Sequence, residues 1–284
     1  MSGIGPTPLS TLATPALFAL SDRTIIVSGG GRGLGLSVAR GCLEAGANVA
    51  AVDLLPVPTE PEWSEYQEIA KANGVSLSYY NLDISNSDAV QQVFTRIFQD
   101  APSKSPIRGM FLAAGVPSSL TVLDSSIEYW RKVFDVNTAG SFLCCKAFAD
   151  EWLRRNKTDG SPGVGGASIV LTASVAGHVA NRQIPCSAYS ASKAAVIQMA
   201  KSFAAEWGKL GIRVNAVSPG YIKTVMTAGI VAARPGYEED MVNSTLLGRA
   251  STGDEYRGPA VFLLSEASSF IIGADIVVDG GHAA

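Results

Sequence analysis

Tyr189 and Lys193 are the two residues in this sequence whose types and spacing are best suited to moving a proton. Residues four apart are neighbours on one face of a helix, so the spacing predicts that a phenol lies beside an ammonium group. A free phenol has a pKa near 10, and a positive charge close to it favours the phenolate and lowers that pKa. Tyr189 is therefore a candidate general acid and base. A Tyr–Lys pair at this spacing also arises readily by chance, so other residues must support the assignment.

A glycine-rich turn follows the first predicted strand, which covers residues 24–28. The turn consists of Gly29, Gly30, Gly31, Arg32, Gly33, Leu34 and Gly35, and a helix is predicted after it over residues 36–45. Glycines in such a turn allow backbone amides and the positive end of the helix to approach a pyrophosphate. Asp53, at the end of the second predicted strand, is placed to accept hydrogen bonds from ribose hydroxyls. This context favours a dinucleotide site over a tight turn that binds no ligand.

The order of the predicted elements indicates the fold class. Seven apolar runs read as strands, with helical stretches after most of them: 24–28, 48–53, 77–82, 109–113, 167–172, 213–218 and 275–278. Runs rich in Val, Ile and Ala without alternation suit strands that are buried on both faces, and β–α alternation implies a parallel sheet. We predict an α/β fold over residues 1–284, a single doubly wound Rossmann-type domain whose seven-stranded parallel sheet carries helices on both faces.

Composition excludes several classes of function. A net charge of −3 leaves no basic surface for nucleic acid. No apolar run reaches the ~18 residues that a membrane span needs, and residues 1–20 are predicted to form an N-terminal arm without a targeting role. The four cysteines have no metal-type spacing and the chain has two histidines, so we expect no metal and reduced thiols in the cytoplasm.

The motifs, taken in their order, resemble those of the short-chain dehydrogenase/reductase family. The spacing Gly29-x3-Gly33-x-Gly35 and the segment from Tyr189 to Lys193 are two of them. Further matching segments are Asp83-Ile84, Ala113-Ala114-Gly115, Val136-Asn137, Ser174, Pro219-Gly220-Tyr221-Ile222-Lys223-Thr224 and Val278-Asp279-Gly280-Gly281. Leu112 departs from the pattern, because it replaces the leading Asn of the element that ends at Gly115, and Ser28 stands where the family usually has Thr. The resemblance extends from about residue 20 to residue 281.

The resemblance implies four catalytic residues. Tyr189 would give its proton to a carbonyl oxygen during reduction, and Ser174 would donate a hydrogen bond to the same oxygen. Lys193 would lower the pKa of Tyr189 and hold the nicotinamide ribose. Asn137 would bind a water that connects Lys193 to solvent.

The resemblance also implies the cofactor site and a substrate lid at residues 225–245. Candidate cofactor-binding residues are Gly29, Gly31, Arg32, Gly33, Leu34, Gly35, Asp53, Asp83, Ile84, Ala114, Gly115, Asn137, Tyr189, Lys193, Pro219, Gly220, Ile222 and Thr224. Candidate substrate contacts are Ser174, Val179, Ile184, Tyr189, Tyr221 and Met226. The loop before Tyr189 is longer than is usual for the family, so His178, Arg182 and Cys186 are further candidates for the substrate wall.

Two residues point to different cofactors. Asp53 would bind the 2′-hydroxyl of NAD and repel the 2′-phosphate of NADP, whereas Arg32 resembles the basic residue of members that prefer NADP. Leu54, which follows Asp53, provides no second positive charge for a 2′-phosphate. NAD(H) is therefore favoured over NADP(H).

We therefore expect an NAD(P)-dependent oxidoreductase that acts on a small-molecule secondary alcohol or ketone, either of polyol type or a biosynthetic intermediate. The alternative is a nucleotide-bound protein on the same fold that performs no redox step or acts only as a sensor or scaffold. Small and apolar residues on several faces of the helices around Asn137 and Tyr189 predict a homotetramer or homodimer.

Overall fold

The computed structural model describes residues 11–156, 166–181, 184–234 and 236–284, with the backbone alone at 225, 226, 230 and 233. The main strands are β1 (Thr24–Ser28), β2 (Asn48–Asp53), β3 (Leu77–Asn81), β4 (Ile107–Leu112), β5 (Ala167–Thr172), β6 (Ile212–Pro219) and β9 (Asp275–Val278). They form a seven-stranded parallel sheet in the order β3-β2-β1-β4-β5-β6-β9. The predicted sheet is confirmed, with boundaries that differ by up to two residues.

Helices cover both faces of this sheet, as predicted. They are α1 (Gly33–Glu44), α2 (Glu62–Ala72), α3 (Ser87–Asp100), α4 (Ile127–Phe134), α5 (Ser141–Arg155), α6 (Ser187–Trp207), α7 (Val225–Ala233), α8 (Tyr237–Asn243) and α9 (Arg257–Leu264). One buried cluster joins α3, α5 and α6 to the sheet through side chains such as Phe94 and Phe148. A second joins α1, α2 and α9 to the opposite face through Leu43 and Leu263. The strands are apolar on both sides because both faces are covered.

The order of the strands reverses beside β1, which pairs with β2 on one side and β4 on the other. The chain leaves the carboxyl ends of β1 and β4 toward opposite faces, and such a point opens a crevice that binds ligands in doubly wound sheets. Gly29 allows the two connections to approach closely, since a Cβ on it would lie 2.8 Å from the Ala114 nitrogen. The fold thus places the glycine-rich turn at the crevice.

Two features differ from the sequence-based expectations. Helix α1 begins at Gly33 and not at Leu36. Its first turn includes Gly35, where a Cβ would lie 2.2 Å from the Gly29 oxygen, so only glycine fits at this position. A small parallel pair, β7 (Ile222–Lys223) and β8 (Ser251–Thr252), was not predicted. It forms where the backbone after β6 meets the segment before α9, and two residues are too few to produce a strand pattern.

Candidate active site

Ser174, Tyr189 and Lys193 meet at the carboxyl end of β5. Ser174 begins a single 3-10 turn at Val175–Gly177, while Tyr189 and Lys193 lie one turn apart near the start of α6. The Ser174 side chain lies close enough to the Tyr189 hydroxyl to lower its pKa by hydrogen bonding. The Lys193 Nζ lies 5.6 Å from the centroid of the Tyr189 ring. Three side chains that are far apart in sequence therefore form one group.

The Lys193 ammonium is buried and fixed by the backbone. Its Nζ donates a hydrogen bond of 2.7 Å to the Thr172 carbonyl at the end of β5, and 4% of the residue is exposed. Burial lowers the pKa of Lys193 from 10.5 to about 8, because the charged form loses its hydration. Gly115 leaves room beside this group, since a Cβ there would lie 3.6 Å from Nζ and 3.1 Å from the Asn137 Oδ1.

The pKa of Tyr189 differs from the sequence-based expectation. Burial raises it above 10, while the hydrogen bond with Ser174 lowers it in part. The expected decrease caused by Lys193 is not seen; the ammonium lies over the Tyr189 ring and donates to the Thr172 carbonyl. In this state the phenol is held protonated at neutral pH.

Asn137 ties the segment after β4 to α6. It is fully buried in a π-helical turn, Asp135–Gly140, which separates α4 from α5. Its Oδ1 accepts from the Val116 nitrogen at 2.8 Å, and its Nδ2 donates to the Val116 oxygen at 3.0 Å and to the Ser192 Oγ at 3.1 Å. Ser192 in turn donates to the Tyr189 carbonyl at 2.7 Å. The Asn137 side chain thus connects β4 to the helix that carries Tyr189, whereas its carbonyl accepts from the Ser141 hydroxyl.

At the opposite end of the crevice, Asp53 holds the glycine-rich turn. Its Oδ2 accepts from the Gly31 nitrogen at 3.0 Å and its Oδ1 from the Leu55 nitrogen at 3.1 Å. Arg32, the residue before α1, is exposed and makes no side-chain cap, so no side chain at that position occupies the first amides of the helix. Gly33 has a φ of 55° and open space where a Cβ would stand. Uncapped amides at a helix start and an open glycine beside them fit a pyrophosphate.

Further cofactor candidates surround this crevice. Ala114 donates through its nitrogen to the Ser28 Oγ at 3.3 Å. Ile84 is buried against Gly140, where a Cβ would lie 2.8 Å from the Ile84 Cγ1. Asp83 is exposed, and its Oδ1 accepts from the nitrogen and hydroxyl of Ser85.

The segment from Pro219 to Thr224 continues from the end of β6. Gly220 is packed against the last strand, since a Cβ on it would lie 2.7 Å from the Asp279 Cα. Thr224 caps α7 in a reciprocal pair with Thr227, each side chain accepting from the backbone nitrogen of the other. Ile222 contributes its carbonyl, which accepts from the Thr227 hydroxyl at 2.7 Å.

Two of the predicted substrate contacts are buried beneath the predicted lid. A cluster that we call the lid cluster consists of Ile184, Tyr221, Tyr237, Met241 and Ala250. The rings of Tyr221 and Tyr237 meet edge to face with centroids 6.0 Å apart. Tyr237 was missed by the sequence reasoning, although its spacing of four from Met241 on α8 is a signal for one buried face.

The other substrate candidates have separate positions. Val179 is half-buried at the end of the turn that begins at Ser174, and Cys186 is buried within 3.3 Å of the Ser190 hydroxyl. His178, a further candidate for the substrate wall, contacts Asp275 at the start of strand β9. The Met226 side chain and Arg182 lie outside the described residues.

Within the described ranges, no group of three or more His, Cys, Asp or Glu side chains is arranged to hold a metal ion. The same part of the chain contains no helix that is both long and apolar enough to cross a membrane.

Known proteins share both the sequence and the fold. A family model described as enoyl-(acyl carrier protein) reductase matches residues 29–283. A short-chain dehydrogenase/reductase of Aspergillus versicolor, notP′, is 39% identical over 96% of this chain and 91% of its own length. An NADP-dependent mannitol dehydrogenase of Hypocrea jecorina is 33% identical over 94% of each chain. A crystal structure of a short-chain type dehydrogenase/reductase from Mycobacterium marinum superposes with a TM-score of 0.81 at 29% identity, covering 95% of this chain and 99% of the other.

These matches span nearly the whole chain and agree with the sheet order, the glycine-rich turn and the meeting of Ser174, Tyr189 and Lys193. The chain belongs to the short-chain dehydrogenase/reductase family and is an oxidoreductase that acts on alcohols or ketones with a nicotinamide cofactor.

Proposed function

We propose that this enzyme interconverts a secondary alcohol and a ketone, with Tyr189 as the general acid and base. The observation that carries the proposal is the group formed by Ser174, Tyr189 and Lys193 at the carboxyl end of β5. It lies on the same edge of the sheet as the glycine-rich turn, so one extended ligand can reach both.

The chain's own residues account for the proton in this reaction. A nicotinamide bound in the crevice supplies or accepts the hydride. During reduction the Tyr189 hydroxyl gives its proton to the carbonyl oxygen, and the Ser174 hydroxyl donates a hydrogen bond to that oxygen as charge develops on it. The raised pKa of Tyr189 keeps the phenol in the form that reduction requires. For oxidation, the phenolate must form, and the buried Lys193 ammonium lies over the Tyr189 ring, 5.6 Å from its centroid.

Cofactor binding is assigned to the crevice residues named above. The amides at the start of α1 would hold the pyrophosphate, Lys193 the nicotinamide ribose, and Thr224 with the Ile222 backbone the carboxamide. Asn137 would maintain a water between Lys193 and solvent, and its place in a π-helical turn, a feature that is frequent at functional sites, supports this role.

We infer a preference for NAD(H). Asp53 is 7% exposed and lies next to Gly31, where the 2′ position of the ribose would be. A carboxylate within ~4 Å of a phosphate costs a few kcal/mol at the effective dielectric of a protein surface. Arg32 is exposed and free to reach a phosphate, and the mannitol dehydrogenase relative is NADP-dependent, so the preference requires a direct test.

That test compares titrations with NADH and NADPH, followed by energy transfer from tryptophan to the nicotinamide. We expect NADH to bind more tightly to the wild type, and Asp53→Ala to reduce or reverse the difference. Arg32→Ala is the matched variant, because it removes the cation that could bind the 2′-phosphate of NADPH. Tighter NADPH binding that Arg32→Ala abolishes would show that Arg32 decides the preference.

The substrate is proposed to be a ketone or secondary alcohol of polyol type or an intermediate of a biosynthetic route. The mannitol dehydrogenase relative supports the first class. The apolar and aromatic side chains of the lid cluster favour a substrate with an apolar portion. A screen with mannitol, a ketose and cyclic ketones that carry an aryl group, each with both cofactors, separates the two classes by relative kcat/KM.

We also propose that α5 and α6 bind a second copy of the chain, giving a homodimer or homotetramer. An apolar groove between these helices is lined by Phe134, Thr138, Ala139, Phe142, Met199 and Phe203. Phe142 is 44% exposed, and the Phe203 ring stacks on Trp207 with centroids 4.8 Å apart. Light scattering that finds a monomer at micromolar concentration would contradict this assembly.

Tyr189→Phe tests the assignment of the reaction against the non-catalytic alternative. The variant should lose nearly all turnover while its affinity for the cofactor changes little. Unchanged turnover would exclude Tyr189 as the acid and base, whereas a wild type that binds nucleotide but converts nothing in the screen would favour the alternative.

We further propose that residues 1–284 form a single domain and that the protein is located in the cytoplasm. Limited proteolysis tests the first proposal, and a fluorescent fusion tests the second.

A further inference from the structure

The side chain of His178 joins a buried polar network at the edge of the sheet. Its Nε2 lies 2.6 Å from the Asp275 Oδ2 and 3.2 Å from the Ser218 Oγ. Ser218 donates to the same carboxylate, with its Oγ 2.8 Å from Oδ2 and 3.0 Å from Oδ1. Ser218 is fully buried and 8% of the Asp275 side chain is exposed, against 32% for His178. We call these three residues the His178 network.

The network has the residue types of a hydrolase triad without its geometry. In a triad the histidine bonds the carboxylate with one ring nitrogen and the serine with the other. Here one nitrogen faces both partners, and the Ser218 hydroxyl donates to the carboxylate. No base is therefore available to activate Ser218, and the network must act through position.

Its position links the catalytic turn to two strands. The 3-10 turn that begins at Ser174 ends at His178, whose nitrogen donates to the Val175 oxygen at 2.9 Å. Ser218 lies on β6 directly before its last residue, Pro219, and Asp275 begins β9. One side chain thus connects the turn that carries Ser174 to the strand that leads into the proposed cofactor site.

The middle of the same turn is also held. A Cβ on Gly177 would lie 2.8 Å from the Ala194 nitrogen, so the turn is packed directly against α6 beside Lys193. Ser174 itself accepts through its Oγ from the Ala176 nitrogen at 3.2 Å. The middle of the turn is therefore held on α6 by Gly177, and its end is held by the bond from His178 to Asp275.

We propose that His178 is a positioning residue: by bonding to Asp275 it holds the Ser174 hydroxyl against Tyr189. This inference rests on the proposed function of Ser174 and Tyr189. The imidazole donates from Nε2 both in its neutral Nε2–H form and in its charged form. The positioning role therefore requires a hydrogen-bond donor at Nε2 and does not require a positive charge. Glutamine can place an amide nitrogen near the position of Nε2, and alanine cannot.

The primary test reads the Ser174–Tyr189 hydrogen bond directly. In protein labelled with ¹³Cζ-tyrosine, Tyr189→Phe assigns the Tyr189 resonance and Ser174→Ala defines its position when the hydrogen bond is lost. We expect His178→Ala and Asp275→Ala to move the resonance toward the Ser174→Ala position, and His178→Gln to leave it near the wild-type position. Val277→Ala, at an exposed position of β9, is the control and should cause no change.

Turnover provides the second measurement, on the best substrate of the screen. His178→Ala should lower kcat by about tenfold to a hundredfold, the upper value being the loss that a 1 Å misplacement of a catalytic group can cause, with the Kd for NADH within about twofold of wild type. The His178→Ala/Asp275→Ala double variant should lose no more than Asp275→Ala alone, because that single variant already removes the bond to His178 along with the bonds to Ser218.

An unmoved Tyr189 resonance in His178→Ala would overturn the inference, as would a His178→Gln variant as impaired as His178→Ala. A loss of kcat accompanied by an equal loss of NADH affinity would also overturn it, since that pattern indicates general unfolding of the site. Failure of the proposed function gives a different result from failure of this inference. It would appear as turnover that is retained in Tyr189→Phe, independently of the position of the Tyr189 resonance in the His178 variants.

Discussion

Lys193→Met should make the protein without nucleotide more stable at neutral pH while it abolishes catalysis. Burial lowers the pKa of Lys193 from 10.5 to about 8, and one pKa unit corresponds to about 1.4 kcal/mol. Below pH 8 the folded protein therefore carries a penalty of about 3 kcal/mol for holding this charge. Methionine removes the penalty but leaves the Thr172 carbonyl without its donor, at a cost of about 1–3 kcal/mol.

The sign of the pH dependence makes the prediction specific. Between pH 8 and pH 10.5 the unfolded chain binds a proton at Lys193 that the folded protein does not, so the free energy of unfolding contributed by this residue rises with pH. The advantage of Lys193→Met over the wild type should therefore shrink by about 2 kcal/mol between pH 7 and pH 9.5. Other groups titrate in both proteins and cancel in the difference.

Urea unfolding at the two pH values, without nucleotide, measures this difference by linear extrapolation. Lys201→Met is the matched control, since Lys201 lies on the same helix and is exposed. We expect its difference from the wild type to be small and independent of pH. A Lys193→Met difference that is constant or grows with pH would refute the assignment of a buried, destabilised ammonium.

The remaining predictions concern the crevice. Gly35→Ala would place a Cβ 2.2 Å from the Gly29 oxygen, so NADH should bind more than about tenfold more weakly; Gly258→Ala, with open space on α9, should leave the titration unchanged. Asn137→Ala removes three hydrogen bonds of a buried side chain and should lower the free energy of unfolding by about 3 kcal/mol in urea. A loss below about 1 kcal/mol would show that water replaces the amide.

Much of the site follows from local sequence. The seven strands are apolar runs on a sheet that is buried on both faces, and the glycine-rich turn with Asp53 has a spacing set by one strand, one turn and one helix. Tyr189 and Lys193 share a helix face because residues four apart always do. The assignment of the family rests on these short-range patterns.

The tertiary structure determined the pKa values and the hydrogen-bond partners of residues that lie on different elements. Burial raises the pKa of Tyr189, and the Lys193 ammonium donates to the Thr172 carbonyl. The spacing of Tyr189 and Lys193 in the sequence predicts neither of these facts. The packing of Tyr237 against Tyr221 and the contact of His178 with Asp275 join residues of different elements. Periodicity determines which face of an element is buried, whereas pKa values and hydrogen-bond partners depend on distances of a few ångströms between elements, and only the packed fold sets those distances.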